Sequence, residues 1–335
     1  MTTPLFIPAF VEEISVEPDR VLASIQAYQK DLQTGLVEVS LPAKSYCDLL
    51  FVRGQVVNAY KRGNKTERIP PPDHFPTPGG AATLRAISLT PQAIRLAKIL
   101  LEQVGAVQPV ETRTDTLESQ IDKWRALPFP GLVQVRWPGA EALALLTGSG
   151  RPPRHTIFIA ANQILQSPGG MMALYGWKER DCSVTYYSSE SQTLAWQEYL
   201  LHYSFIWMAG HLLLRVEELT GRLLLNSVLR ETNFSAAAHG LIISFAPGNV
   251  TDQTIFTSPE ESAQAYKRLM EQILTHVESI IGADSLKSLV QESTMRMQPS
   301  YRRVFQENFN FSRPGPSRAP DLSERTRPAS SPQRL

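Results

Sequence analysis

The sequence predicts an α+β fold, in which small units of a helix and an antiparallel sheet precede a helix-rich C-terminal part with a short sheet. The stretch 35–41 alternates apolar and polar residues, as half-buried strands do. Apolar runs flank Arg53-Gly54, a pattern typical of a tight hairpin whose glycine takes a positive φ. Residues 191–231 carry apolar side chains at helical spacing with few helix breakers, which indicates long helices.

The first unit, residues 1–110, is expected to hold one sheet and two helices. The alternation in its second strand places Glu38 on the exposed side. A loop is expected over 61–78 because its prolines disfavour regular structure. The elements expected in chain order are a strand near 11–16, a helix at 19–32, strands at 35–41, 47–52, 55–61 and 81–89, and a helix opened by Thr90-Pro91.

A second unit over 111–190 is predicted because one stretch occurs twice. Gly131-Leu-Val-Gln-Val-Arg-Trp-Pro repeats Gly35-Leu-Val-Glu-Val-Ser-Leu-Pro, and the same spacing then pairs Leu145 with Leu49. Each copy follows a candidate helix, as in an internal duplication. The alternative is that Gly-Leu-Val-x-Val is a common way to open a strand, so both interpretations stay open.

The third part, residues 191–311, should be mostly helical. It begins with one long helix or with two helices that meet near Gly210. The elements expected after it are a buried strand at 239–245, a helix from Ser258 to Gly282 and a shorter helix at 284–292. Residues 312–335 are rich in proline, serine and arginine and poor in apolar residues, so they form a predicted disordered tail.

Composition limits the functional classes. A net charge of +1 gives no general reason to bind nucleic acid or an anionic membrane, so neither partner is expected. The two cysteines lie far apart, which argues against a disulfide framework or a cysteine zinc site. The most apolar window is too short for the roughly 20 residues of a membrane span, and the first residues lack a secretory pattern. We therefore expect a cytoplasmic protein.

The chain contains none of the short motifs that carry a known reaction, including phosphate loops, nucleophile elbows and paired zinc-binding histidines. We expect no catalytic, cofactor-binding or metal-binding residues. If an enzyme site is assembled from scattered residues, Arg136, Glu141 and His155 are the first candidates. His202 and His211 lie nine apart on one helix face, a spacing that suits packing better than metal binding.

Aromatic residues form a stripe along the predicted long helix. Trp196, Tyr199, Tyr203 and Trp207 recur at helical spacing. Such a stripe fits a helix face packed in the core. It also fits a partner-binding or dimer face, because aromatic side chains anchor many interfaces.

Leu50-Phe-Val-Arg-Gly-Gln-Val-Val-Asn-Ala59, preceded by Gly35-Leu-Val-Glu-Val, resembles the core of the bacterial DUF4388 or PATAN-type signalling domain. The resemblance covers about residues 18–62. It implies a helix followed by a strand and a hairpin, protein–protein contacts in signalling, and no assigned catalysis. The outer surface around the hairpin then serves recognition, with Arg53 as a candidate contact.

These observations together predict a non-enzymatic cytoplasmic signalling or scaffold protein that binds other signalling proteins. Self-association through the 191–231 helix is a further expectation. The alternative is a sensor that holds a small apolar ligand between the long helix and a sheet.

Overall fold

The computed structural model describes residues 5–6, 14–31, 33–41, 45–63, 65–70, 82–103, 107–148, 155–160, 163–167, 169–178 and 181–309. Within these ranges the fold is α+β, as predicted, with two antiparallel six-stranded sheets followed by a helical part that carries a two-stranded hairpin. The predicted disorder over 312–335 lies outside the described residues.

The first unit is an antiparallel sheet with one helix on its outer face and one on its inner face. Its elements are β1 (Ile14–Val16), α1 (Pro18–Lys30), β2 (Gly35–Leu41), β3 (Ser45–Val52), β4 (Gln55–Arg62), β5 (Thr66–Ile69), β6 (Ala82–Ser88) and α2 (Pro91–Gln103). The strands lie in the order β1-β6-β2-β3-β4-β5. Apolar side chains of α1 pack on the outer face, and α2 packs on the inner face.

The second unit repeats this topology. Its elements are β7 (Val110–Arg113), α3 (Thr114–Arg125), β8 (Gly131–Trp137), β9 (Ala140–Leu146), β10 (His155–Ala160), β11 (Gln163–Gln166), α4 (Gly169–Tyr175) and β12 (Asp181–Ser188). Its strands lie in the order β7-β12-β8-β9-β10-β11, which matches the first sheet strand for strand. Along the chain, the helix α4 lies between β11 and β12. The two sheets therefore share one strand order, and the internal duplication stays a prediction.

The prediction that the two copies of the repeat keep the same residue spacing is wrong beyond the first strand of each copy. Leu36 pairs with Leu50, whereas the equivalent Leu132 pairs with Leu145. The β8–β9 connection is one residue shorter than the β2–β3 connection, and a one-residue shift moves a strand's side chains to the opposite face. Leu49 consequently packs in the outer core of the first unit, while Leu145 packs in the core shared by both units.

The predicted hairpin is confirmed. Arg53 and Gly54 connect β3 to β4, with φ angles of 50° and 78°. Two successive residues with positive φ form the turn that matches the twist of paired strands. The predicted loop over 61–78 is wrong in part, because β5 occupies Thr66–Ile69 and pairs with β4 before the prolines begin at Pro70.

The C-terminal part packs against both units. Its elements are α5 (Leu194–Thr220), α6 (Arg222–Ala238), β13 (Ile243–Ala246), β14 (Asn249–Asp252), α7 (Pro259–Ile281), α8 (Ala283–Arg296) and α9 (Pro299–Asn308). The long helix passes through Gly210 and ends at Gly221, whose φ of 83° leaves the helical region. Of the two alternatives, the helix that continues through Gly210 is the one observed, and the junction between two helices falls at Gly221 instead.

One apolar core joins the three parts. The inner faces of both sheets, α2, α5 and the C-terminal helices contribute to the same cluster of buried side chains. Nearly every residue of α2 is buried, including Arg95 and Lys98. Among the described helices, none combines the length and apolar character that crossing a membrane requires.

A buried charged belt crosses the inner face of the first sheet, formed by Glu38, Asp48, Arg62 and Arg85. All four are nearly inaccessible to solvent, so the predicted exposure of Glu38 is wrong. Glu38 lies between the two units, and its charge is matched by Arg62 at 2.7 Å and Arg85 at 3.0 Å. Both faces of β2 are thus covered, one by α1 and the other by α2 and Leu5.

Glu38 should make the stability of the protein depend on pH. Burial and the neighbouring Asp48 carboxylate raise the pKa of Glu38 to about 7, against the lowering effect of Arg85 and Arg62. A raised folded-state pKa means that the folded chain holds a proton the unfolded chain has released, so stability is greatest at low pH and falls as pH rises toward 7.

Urea unfolding of the wild type, measured between about pH 5 and pH 8, should show this decline. Glu38→Gln should have a flatter profile, because only Asp48 still titrates in the belt. The matched control is Glu118→Gln, at an exposed position of α3, which should keep the wild-type slope. If the free energy of unfolding fell with pH as steeply in Glu38→Gln as in the wild type, the raised pKa assigned to Glu38 would be contradicted.

Candidate functional site

A groove runs along α5 where this helix meets the β13–β14 hairpin and the start of β10. It has a volume of about 580 Å³. Its lining consists of Gln92, His155, His202, Tyr203, Ile206, Trp207, Gly210, His211, Leu214 and residues 248–252. These residues come from four separate elements, so the site exists only in the folded chain.

One wall of the groove carries a stacked pair of rings. Trp207 and His211 lie 5.0 Å apart between ring centroids, at an angle of 24°. The buried Nε2 atom of His211 has no hydrogen-bond partner among the described residues. Burial, followed by the charges of Arg296 and Arg215, lowers the pKa of His211, so its imidazole is neutral at neutral pH. This wall therefore presents two stacked, half-buried rings.

The part of the groove near the start of β10 has a wall that is held by hydrogen bonding and stacking. His155 Nε2 bonds to the Tyr203 hydroxyl across the junction of β10 and α5. Tyr203 also contacts the rings of Tyr199 and Tyr301, at centroid distances of 4.6 Å and 6.2 Å. These contacts fix His155 and Tyr203 in place and give the wall a defined shape.

The floor contains a buried carboxylate with three partners. Asp252 Oδ2 accepts a hydrogen bond from the Tyr266 hydroxyl at 2.6 Å and lies 3.0 Å from His202 Nδ1. Its Oδ1 accepts the Thr254 N–H at 2.7 Å. Burial alone would raise the pKa of Asp252, but the hydrogen bond and charge of His202, with help from Arg95 and Tyr266, lower it to about 2.

Behind the floor, a polar junction ties α2 to α5 and to the segment after β14. Lys98 Nζ bonds to Glu198 and donates to the Phe256 carbonyl at 3.1 Å. Arg95 donates to the carbonyls of Asp252 and Thr254 at 3.3 Å and 2.6 Å. The cavity inside this junction measures about 20 Å³, enough for about one water molecule and too small for an organic ligand.

The groove can offer hydrogen bonds and ring contacts to a bound group. Its buried carboxylate is already engaged by a tyrosine, a histidine and a backbone amide. Within the described ranges, no group of three or more histidine, cysteine or acidic side chains is placed to hold a metal ion.

The structure separates the aromatic candidates into two groups. Trp196 and Tyr199 are buried in the shared core, where they pack edge to face. Tyr203 is buried but lines the groove, and Trp207 is half-buried on the groove wall. Arg53 is exposed at the β3–β4 turn and does not line the groove. The aromatic stripe thus serves the core at its first two positions and the groove at its last two.

The three enzyme candidates do not form one site. Arg136 Nε lies 3.4 Å from Glu141 Oε1 on neighbouring strands. His155 lies elsewhere, because Glu141 pairs with Ile159, four residues further along β10. His202 and His211 both line the groove, but nine residues correspond to about two and a half helical turns, so the expectation of one shared helix face is wrong. Asp252 and Trp207 are their respective partners.

Several residues of the site were missed by reasoning from the sequence. Asp252 and Tyr266 supply the floor, and Gln92 and Thr251 line the groove. One sequence signal was available: Arg95 and Lys98 interrupt an otherwise apolar helix. Charged residues at buried positions require partners, so Arg95 and Lys98 together indicate a polar junction beside this helix.

Comparisons of the chain with protein-family models, with curated proteins and with solved structures find no match.

Proposed function

We propose that this protein is a non-enzymatic recognition protein that binds a segment of another protein in the α5 groove. The observation that carries the proposal is the half-buried stack of Trp207 and His211 on the wall of a groove of about 580 Å³. Aromatic side chains at the edge of an open groove are common anchors for protein partners. The resemblance of the β3–β4 hairpin to a signalling domain agrees with this role.

Packing favours a protein partner over an enclosed apolar ligand. The side chains between α5 and the inner sheet faces form one continuous core, and the cavity at the polar junction holds about one water molecule. A small ligand would have to lie in the open groove. An open groove leaves much of a small ligand in water, whereas ligand pockets usually bury most of it.

The test compares two threonine-to-arginine variants of the full chain. Thr251 is exposed and lines the groove, whereas Thr275 is exposed on α7 outside it. Thr251→Arg places a long cation in the groove without disturbing the core, so both variants should unfold within about 0.5 kcal/mol of the wild type. Immobilised wild type, Thr251→Arg and Thr275→Arg are then compared for proteins captured from native lysate.

We expect a protein captured by the wild type and by Thr275→Arg to be lost from Thr251→Arg. Equal capture by all three chains would place recognition outside the groove. Native mass spectrometry of the freshly purified protein provides a second readout. A retained small molecule, together with no captured protein, would reject protein recognition in favour of ligand sensing.

A further inference from the structure

The β13–β14 hairpin forms one border of the α5 groove, and no third strand pairs with it among the described residues. In an antiparallel pair, every second residue turns its backbone N–H and carbonyl toward the partner strand, and the residues between turn theirs outward. The Gln253 N–H donates to the Ile242 carbonyl at 2.9 Å, which fixes this alternation. By the register of the hairpin, the backbone groups of Phe245, Val250 and Asp252 therefore point away from the partner strand.

Side chains bind the backbone at two of these three outward positions. The Asn233 amide donates to the Phe245 carbonyl at 2.9 Å and accepts the Phe245 N–H at 2.8 Å, so the outer edge of β13 is closed there. On the outer edge of β14, the Asp252 carbonyl accepts hydrogen bonds from Gln92 Nε2 and Arg95 Nη1, each at 3.3 Å. Both sets of contacts agree with the alternation along the hairpin.

Val250 is the outward position that stays open. Within the described part of the chain, neither its N–H nor its carbonyl has a hydrogen-bond partner. Its side chain is 6% exposed and lies against α5, since a Cβ placed on Gly210 would be 3.9 Å from Val250 Cγ2. Val250 also lines the groove. The groove is therefore bordered by one unused donor and one unused acceptor on the edge of a sheet.

An extended chain can satisfy both groups at once. One residue of an added antiparallel strand exchanges two hydrogen bonds with the residue that it faces. A helix cannot do this, because its interior N–H and carbonyl groups are bonded within the helix. The groove follows the hairpin over residues 248–252, a length of about 16 Å in extended chain. The border of the groove thus favours a strand as its occupant.

The side chains of such a strand would meet the aromatic wall. Residues that face each other on neighbouring strands turn their side chains to the same face of the sheet. The partner residue opposite Val250 would therefore turn its side chain toward α5, as would the residues two places before and after it. On α5, the half-buried rings of Trp207 and His211 line the groove, and Gly210 between them carries no side chain. Apolar side chains at alternate positions fit this wall.

We propose that the partner segment binds the α5 groove as an extended strand, which pairs with Val250 as the third strand of the β13–β14 sheet and turns apolar side chains at alternate positions toward Trp207 and His211. This inference rests on the proposed function, because it specifies the conformation and chemistry of the segment that the groove recognises. An amphipathic helix, another common form of groove-bound segment, is the outcome that would overturn it.

The binding test uses a phage-displayed library of random peptides long enough to span the groove, selected on the immobilised full chain. Peptides retained by the wild type and by Thr275→Arg, but lost from Thr251→Arg, are groove-dependent peptides. We expect these peptides to carry apolar residues at every second position, as strands with one buried face do. Sequencing of the selected peptides gives this pattern directly.

A change of one backbone atom then tests the pairing. The α-hydroxy analogue of valine, incorporated at position 250 of the full chain, replaces the Val250 N–H by an ester oxygen and keeps the side chain. We expect this ester to bind synthetic groove-dependent peptides about tenfold more weakly than the wild type, as measured by fluorescence anisotropy. The matched control is the same change at Phe245, whose N–H faces Asn233 on the opposite edge. It should bind the peptides as the wild type does.

The outcomes separate this inference from the proposed function. Groove-dependent peptides with apolar residues at helical spacing would overturn strand pairing and leave the groove as the binding site. Equal affinity of the folded Val250 ester and the wild type for these peptides would do the same. A selection without any groove-dependent peptide would overturn the proposed function, and strand pairing with it.

Amide hydrogen exchange in the unmodified protein tests the open edge even if the ester variant does not fold. The Val250 N–H points outward, whereas Thr251 faces Ser244 across the hairpin. We expect the Val250 amide to exchange about tenfold or more faster than the Thr251 amide, and to slow when a groove-dependent peptide is added. Equal protection of the two amides in the free protein would show that the edge is already paired and would overturn the proposal.

Discussion

Replacing Arg62 by methionine should lower the free energy of unfolding by about 3–5 kcal/mol, the typical cost of breaking a buried ion pair. Arg62 is 2% exposed. Its guanidinium bonds to both oxygens of Asp48 and lies 2.7 Å from Glu38 Oε1. Methionine fills a similar volume but leaves two buried carboxylates facing each other.

Urea unfolding measures this loss, and Arg113→Met provides the control. Arg113 pairs with Asp115 at 2.9 Å, but the two side chains are 58% and 60% exposed. Exposed pairs contribute little, so this variant should lose less than about 1 kcal/mol.

Burial already raises the pKa of Asp48. The pKa of Glu38 is raised to about 7, so the loss in Arg62→Met should be smaller at about pH 5, where Glu38 is protonated, than at about pH 8, where it is ionised. If Arg62→Met lost less than about 1 kcal/mol of unfolding free energy at either pH, the stabilising role of the charged belt would be contradicted.

Replacing Asp252 by asparagine should cost about 2–4 kcal/mol, because the buried carboxylate organises partners from three elements. It accepts hydrogen bonds from Tyr266 and the Thr254 amide and lies against His202. An amide keeps the shape but removes the charge opposite Arg95, which lies 3.7 Å away. It also turns a hydrogen-bond donor toward other donors.

The pH profile separates the charge from the shape. The pKa of Asp252 is lowered from 3.8 to about 2 in the folded protein. The ionised carboxylate therefore stabilises the fold above about pH 4, and this contribution of about 2 kcal/mol is lost as the pH falls toward 2. The difference in the free energy of unfolding between the wild type and Asp252→Asn should therefore become smaller as the pH falls from about 4 to about 2. The control is Asp115→Asn, whose side chain is 60% exposed. If this difference in the free energy of unfolding stayed the same over that pH range, the stabilising role of the Asp252 charge would be contradicted.

Local patterns predicted the elements that depend on few neighbours. Arg53-Gly54 gave the turn because two positive φ angles are easiest with glycine present. Ser258 and Pro259 gave the start of α7, where the Ser258 side chain accepts the Glu261 N–H. The repeated Gly-Leu-Val-x-Val stretch indicated a second unit, and the strand order of the two sheets agrees with it.

Features that depend on distant packing were not predictable in this way. The alternation around Glu38 indicated a half-exposed strand, yet Leu5 binds on that face and two arginines neutralise the charge. The sequence left open whether the long helix continues through Gly210, and the structure continues it to Thr220. The groove brings Gln92, His155 and Thr251 to α5 from distant positions in the sequence, so no local pattern reveals it.

The central claim is that the α5 groove recognises a protein segment. Its most direct measurement is the dissociation constant of the captured partner for wild type, Thr251→Arg and Thr275→Arg, each verified as folded. A groove-bound partner should bind Thr251→Arg about tenfold or more weakly than the wild type, with Thr275→Arg unchanged. Equal affinities for the wild type and Thr251→Arg would show that the groove does not hold the partner and would contradict the claim.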